Sequence, residues 1–172
     1  YPKSGNTWLR LFISDLSKSI TLENKNNNID LNNFNTSTIA SNREFIDEYI
    51  GIESSDLTIK EIDIIRHKIN LSNNLYDNKS EYFKIHDSFE NPSCPGTPLI
   101  CTKGCKGAIY IIRNPLDVSI SLANHFSCTY DEAIKFLMND SSSLCGSLRS
   151  CKIQVRQYLG SWDYHVRTWN KQ

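Results

Sequence analysis

Residues 108–112 read Ala-Ile-Tyr-Ile-Ile, and this apolar run constrains the fold more than any other segment of the chain. A strand that is apolar throughout is typical of a parallel sheet that is covered on both faces. Asn114 and Pro115 follow almost directly. Asn is a preferred N-cap and Pro suits the first helical turn, so a helix is predicted to begin here. A buried strand that leads straight into a helix predicts an α/β fold.

Apolar spacing and capping residues predict the remaining elements. Thr58 with Glu61, and Thr129 with Glu132, have the spacing of a capping box. The predicted helices are 7–18, 45–50, 58–75, 115 onward, 129–138 and 153–169, the last with a break near Gly160. A second, short strand is predicted over 81–85. Strands separated by helices indicate a central parallel sheet flanked by helices.

Polar and Gly/Pro-rich stretches predict the loops. Residues 24–35 contain seven asparagines, and residues 91–107 contain three prolines and three glycines. Substrate pockets are commonly built from loops, so the segments 24–57 and 87–106 are predicted to form the acceptor pocket.

The length of 172 residues and the hydrophobic content of 39% are those of one soluble globular domain. A net charge of zero argues against a dedicated nucleic-acid binder, although residues 101–172 carry nine Lys/Arg against five Asp/Glu and suit a small anionic ligand. No apolar run is long enough to span a membrane, and no signal peptide is visible. A cytoplasmic location with reduced cysteines is therefore expected.

Six cysteines leave one metal hypothesis open. Cys101 and Cys105, with Cys94 upstream, come closest to the spacing of a zinc site. Free cysteines are the commoner outcome, and no metal is expected.

The first candidate for chemistry is the segment from Pro2 to Thr7, ahead of the first predicted helix. A helix N-terminus attracts phosphate through its unpaired N–H groups. Gly5 permits close approach of the backbone, while Ser4, Asn6 and Thr7 add donors and Lys3 adds a positive charge. The segment lacks the glycine spacing of a Walker A loop. An ordinary helix start capped by Ser and Thr is the alternative.

The second candidate pairs Arg113 with Ser121. Arg113 follows the predicted strand, at the carboxyl edge where ligands bind in such sheets. Ser121 lies about two turns into the next helix, and the two side chains together could grip a second phosphate. The alternative is a surface ion pair and a serine bonded to its own helix.

The third candidate is the run Lys84-Ile85-His86, at the end of the second predicted strand. A histidine there can act as a general base near neutral pH. His67, His125 and His165 are the rivals. His67 has no motif around it, and His125 shares a helix face with Ser121, where it can pack or orient.

These motifs resemble those of the cytosolic sulfotransferases, which use the sulfate donor PAPS. Residues 1–8, YPKSGNTW, resemble the family's YPKSGTTW segment, with Asn6 replacing a threonine. Residues 113–121 resemble RNxxDxxxS, and Lys84-Ile-His86 resembles KTH. Residues 160–169 are similar to the helix motif GSWxxHVxxW. The four motifs keep the family's order, and Asn6 together with residues 123–126 looks more like the bacterial branch.

The resemblance implies a P-loop-like three-layer fold and a role for each matched residue. Lys3 would contact the bridging oxygen and sulfuryl group, and Trp8 would stack on adenine. His86 would take the proton of an acceptor hydroxyl or amine, supported by Lys84. The phosphate-binding residues would be Ser4, Gly5, Asn6 and Thr7 for the 5′-phosphate, and Arg113 and Ser121 for the 3′-phosphate.

The family's first strand and C-terminal nucleotide-closing loop have no counterpart in the sequence, so a partial domain, incomplete at both ends, is expected over 1–172. The acceptor would be a small molecule, glycan or lipid. Three alternatives remain: a P-loop kinase-like phosphotransferase, a non-catalytic nucleotide-binding module, and a metal-held interaction loop at 94–105.

Overall fold

The computed structural model describes residues 1–21, 38–76, 82–90, 105–146 and 153–171, together with positions 92, 93, 95, 96, 98, 99 and 103. The predicted Asn-rich loop 24–35 lies outside these residues, as do Cys94, Cys101 and the first residue of the predicted strand 81–85.

Helices make up most of the described structure, and the strands are short. The helices are α1 (Asn6–Thr21), α2 (Arg43–Ile50), α3 (Ile59–Tyr76), α4 (Pro115–Phe126), α5 (Tyr130–Met138) and α6 (Trp162–Asn170). The strands are β1 (Thr38–Ile39), β2 (Phe83–Lys84), β3 (Ser143–Leu144) and β4 (Gln157–Tyr158). A 3-10 turn occupies Ser54–Asp56.

Two small sheets organise the described strands. Strands β1 and β2 pair in parallel, with Thr38 opposite Phe83, and β3 and β4 pair antiparallel, with Ser143 opposite Tyr158. The described residues therefore combine helices with short strands but contain no central parallel sheet.

The capping residues locate the helix starts as the sequence predicts. Thr58 and Glu61 exchange hydrogen bonds ahead of α3, and Thr129 and Glu132 do the same ahead of α5. The Asn114 side chain accepts a hydrogen bond from the Leu116 N–H at 3.0 Å, and Pro115 opens α4. These helix starts are confirmed because each depends only on residues within one turn.

The predicted strand at 108–112 is wrong in this structure. These residues have no regular secondary structure, and Ile109 and Ile112 are 66% and 51% exposed instead of covered. A strand requires a neighbour to hydrogen-bond with, and no described strand lies beside this segment.

The predicted helix over 153–169 is also wrong in its first half. Gln157 and Tyr158 form β4, and Gly160 has a left-handed φ of 65° that a helix cannot continue. The Ser161 side chain then accepts a hydrogen bond from the Tyr164 N–H and caps α6. Pairing with β3 has overridden the local helical pattern.

Two apolar clusters form the core. The first joins α4 and α5 to Tyr1 and Leu159, and the second joins α2 and α3 to Val155. The sequence also predicts an apolar stripe on α1 made of Trp8, Leu9, Phe12 and Leu16. The side chains of Trp8, Phe12 and Leu16 are 79%, 58% and 49% exposed, so this stripe is not part of either cluster. No helix among the described residues is long and apolar enough to cross a membrane.

Candidate active site

The residues ahead of α1 alternate in backbone hand. Lys3 has a φ of 67° and Gly5 a φ of 112°, with Ser4 between them at negative φ. Alternation of this kind directs successive N–H groups into one concavity, which is an anion-binding arrangement. The Gly5 carbonyl accepts the first helical hydrogen bond from the Leu9 N–H at 3.1 Å. The concavity therefore opens onto the N-terminus of α1, where the N–H groups of the first turn have no helical partner.

The Ser4 hydroxyl, in the same loop, is buried without a hydrogen-bond partner. Ser4 is only 8% exposed, and its Oγ has no hydrogen-bond partner among the described residues, nor does Oδ1 of Asn6. A buried hydroxyl without a partner costs free energy, so a bound group that accepts its hydrogen bond would recover that cost. A phosphate at the helix N-terminus is such a group, and the residues present fit the 5′-phosphate of a nucleotide.

Arg113 joins the second motif to this loop. Its Nη1 donates a hydrogen bond to the Lys3 carbonyl at 3.1 Å, across 110 residues of sequence. Helix α4 begins two residues later and carries Ser121, half-buried, in its second turn. The two segments predicted to hold separate phosphates are therefore in direct contact, and each contributes one basic side chain, Lys3 and Arg113.

The side chains of Arg10, Lys84 and His86 lie near enough to one another to interact electrostatically. Burial lowers the pKa of Lys84, and the charge of Arg10 lowers it further. Burial is also the main reason that the pKa of His86 falls to about 3, with Lys84 the next contributor. The His86 imidazole is consequently neutral at physiological pH.

The backbone that carries His86 is fixed from several sides. The His86 carbonyl accepts a hydrogen bond from His165 Nε2 at 3.0 Å, and the Asp87 carbonyl accepts one from Trp169 Nε1 at 3.0 Å. The Asp87 carboxylate accepts a hydrogen bond from each of the two Nη atoms of Arg66, at 3.0 and 2.8 Å. Such a network leaves the candidate base little positional freedom.

Comparison with protein-family models shows which family this chain belongs to. A family model described as a sulfotransferase domain matches residues 1–172. The chain belongs to the sulfotransferase family. It is thus an enzyme of sulfuryl transfer. A search of curated proteins and a search of solved structures each returned no match.

Two of the rival histidines of this sulfotransferase, His67 and His125, contact residues that are not among the predicted site residues. His67 Nδ1 lies 2.7 Å from the Pro98 carbonyl, and the His125 ring is tilted against Phe126 at 5.3 Å. Both contacts are consistent with packing roles. The third rival, His165, contacts the His86 backbone directly.

Sequence reasoning missed Arg10 in the sulfotransferase site. Its charge acts on both Lys84 and His86, so it lies close to the predicted catalytic residues. A signal was available, because Arg10 follows Asn6 by four residues and therefore shares its helix face.

Neither the expectation that no metal is bound nor the alternative of a zinc site is tested by the described residues. Cys105, Cys128 and Cys145 are free, and the described residues contain no group of three metal-ligating side chains. Cys94 and Cys101, on which the zinc hypothesis depends, lie outside those residues.

Proposed function

We propose that this sulfotransferase uses PAPS as its donor and transfers the sulfuryl group to an acceptor hydroxyl or amine. The observation that supports this most is the hydrogen bond from Arg113 to the Lys3 carbonyl, which brings the two phosphate-binding motifs together. PAPS carries phosphates at both its 5′ and 3′ positions, so it needs two anion sites at a fixed separation. A nucleotide that carries phosphate at only one of these two positions would leave one anion site empty.

The donor-binding residues act through charge and unpaired N–H groups. Ser4, Gly5, Asn6 and Thr7 hold the 5′-phosphate at the N-terminus of α1, and the unpartnered Ser4 hydroxyl supports this role. Lys3 adds a full positive charge beside them. The remaining donor contacts are Trp8 on the adenine, and Arg113 with Ser121 on the 3′-phosphate.

The catalytic residues move and stabilise charge. PAPS, when bound, supplies an activated sulfuryl group on a phosphate leaving group. His86 accepts the acceptor's proton at a ring nitrogen, and its low pKa keeps that nitrogen free of a proton before the reaction. Lys84 and Lys3 present positive charge where negative charge develops, and preorganised donors of this kind are each worth about 3–4 kcal/mol.

We extend the proposal to the domain as a whole. Residues 1–172 belong to a single sulfotransferase domain of P-loop-like, three-layer design, of which they are a part, and the parallel pairing of β1 with β2 supports a parallel sheet. The acceptor is a small molecule, a glycan or a lipid, and the pattern at Asn6 favours the bacterial branch.

The test is a pair of histidine variants of the complete protein. His86→Ala should lose turnover with PAPS yet still bind PAP, the desulfated product, because the phosphate contacts are untouched. His125→Ala is the matched control, since its exposed ring packs against Phe126, and it should retain both properties. Turnover that survives in His86→Ala would remove the base assignment.

Ligand-dependent thermal stability separates this function from its alternatives. PAP or PAPS should raise the melting temperature, because a ligand that binds only the folded state stabilises it. Stabilisation by ATP with Mg²⁺ alone would indicate a phosphotransferase. Stabilisation by PAP with no sulfated product from any acceptor would indicate a non-catalytic binding module.

A further inference from the structure

Three segments of the proposed site meet at one buried imidazole. His165 is 1% exposed. Its ring contacts that of Tyr1, at the start of the donor loop, edge to face at 5.3 Å. It also contacts Tyr110, three residues before Arg113, and the carbonyl of the candidate base His86. His165 is therefore in direct contact with both the donor side and the acceptor side of the site.

The two hydrogen bonds of His165 define its tautomer. A backbone carbonyl only accepts, so Nε2 must carry a proton to bind the His86 oxygen at 3.0 Å. The other nitrogen, Nδ1, then accepts a hydrogen bond from the Tyr110 hydroxyl at 2.8 Å. Burial lowers the pKa of His165 to about 3, which is consistent with a neutral ring that makes both bonds. One direction of donation is thus fixed, from Tyr110 through His165 to the backbone of His86.

Trp169, one helical turn after His165, makes a similar hydrogen bond to the backbone of the same segment. It lies four residues after His165 on the same face of α6, and its Nε1 donates to the Asp87 carbonyl at 3.0 Å. The Tyr110 ring stacks on Trp169 as well, at 5.5 Å and 11°. Two ring N–H groups on one helix therefore bind two consecutive carbonyls of the segment that carries the base.

We propose that His165 is a positioning residue, which holds the backbone of His86 in register with the donor-binding segment through Tyr110 and Tyr1. The inference rests on the proposed role of His86 as the base. Displacing a reacting group by about 1 Å can cost on the order of 100-fold in rate, so the effect of His165 is on turnover and not on donor affinity. A residue that served only to fill the core would affect stability without this division.

The experiment compares two isosteric variants of the complete protein. In His165→Gln the side-chain amide reaches the position of Nε2 and can still donate to the His86 carbonyl. In His165→Asn the amide reaches only the position of Nδ1, so the contact with Tyr110 is kept and that with His86 is lost. The Asn variant should lower kcat by about 10- to 100-fold, while the Gln variant stays within about 3-fold of the wild type.

The binding constant for PAP separates positioning from loss of the site. It should change by less than about 3-fold in both variants, because neither removes a phosphate contact. Equal kcat values for the Asn and Gln variants, or a loss of PAP binding that accounts for the loss of rate, would overturn the proposal. If His86→Ala keeps its turnover, the base assignment fails instead, which is a different result.

A measurement on the wild-type protein covers the case in which a variant does not fold. The ¹⁵N chemical shifts of the His165 ring at neutral pH should identify a neutral imidazole with its proton on Nε2. A proton on Nδ1 alone would break the donation to His86, and an imidazolium would remove the acceptor of the Tyr110 hydroxyl. Either result would overturn the proposal.

Discussion

The ion pair between Arg66 and Asp87 joins α3 to the segment that carries His86, and its removal should be among the costliest single changes in the chain. Both side chains are 1% exposed, and the guanidinium binds the carboxylate at two points, 3.0 and 2.8 Å. Arg66 also donates to the Arg156 carbonyl, and the Asp87 carboxylate accepts the Tyr158 N–H, each at 3.0 Å.

Asp87→Ala would remove the carboxylate that is hydrogen-bonded to the buried guanidinium of Arg66, which would keep the charge of Asp63 as a counter-charge, and would leave the Tyr158 N–H without its acceptor. Breaking a buried pair from one side costs about 3–5 kcal/mol, because the remaining charge is desolvated and has lost the partner to which it was hydrogen-bonded. The double variant Arg66→Met with Asp87→Asn removes both charges and keeps an oxygen for Tyr158. It should therefore be more stable than Asp87→Ala by about 2 kcal/mol.

The chain offers a matched control for this change. Arg167 and Asp163 also approach to 2.8 Å, but their side chains are 62% and 69% exposed. Arg167→Gln should cost no more than about 0.5 kcal/mol, since exposed pairs gain little in water. Urea unfolding at constant m-value measures each difference. Equal losses for Asp87→Ala and Arg167→Gln would refute the reasoning that burial, and not distance, decides the strength of these pairs.

Two further predictions concern stability. The folded-state pKa values of His86 and His165, about 3, lie below the ordinary value of 6.5. The unfolded chain therefore takes up protons first as the pH falls, and the free energy of unfolding should drop by about 2 kcal/mol per histidine between pH 7.5 and 5. Urea unfolding should show this slope roughly halved in His165→Gln, and a flat profile in the wild type would contradict it. Gly160→Ala should cost about 1–3 kcal/mol, because φ is 65° and the new Cβ would lie 2.5 Å from the Tyr164 ring. Gly107→Ala, with open space around it, is the control and should change the melting temperature little.

Local chemistry in the sequence predicts the helix starts but not the strands. Thr129 and Glu132 satisfy each other within one turn, so their pattern alone is sufficient to locate α5. The run 108–112 is apolar enough for a buried strand, yet its conformation depends on a neighbour that no nearby residue specifies. The helix prediction at Gln157 and Tyr158 is wrong for the opposite reason. These residues pair with β3, which the local sequence pattern does not indicate.

The candidate site divides in the same way. The loop at Lys3 and the segment at Arg113 could be singled out from the sequence because each motif is contiguous, and the structure adds the contact between them. Their phosphate-binding roles stay predictions. The contacts of His165 with Tyr110 and with His86 join residues 55 and 79 positions apart, so neither spacing nor periodicity indicates them. The sequence indicates that Arg10 shares a helix face with Asn6, but Arg10 belongs to none of the motifs, so its proximity to Lys84 and His86 was not predicted.

The central claim is that the loop at Lys3 and the segment at Arg113 hold the two phosphates of one nucleotide. Calorimetric titration with PAP and with AMP, which lacks the 3′-phosphate, tests it most directly. The wild-type protein should bind PAP at least about 10-fold more tightly, as expected for charge-assisted hydrogen bonds to an additional phosphate. Ser4→Ala should weaken both ligands together. Arg113→Ala should bring the affinity for PAP close to that for AMP and leave AMP unchanged. If Arg113→Ala weakens both ligands equally, or if the wild type does not distinguish them, the claim of a shared two-phosphate site is contradicted.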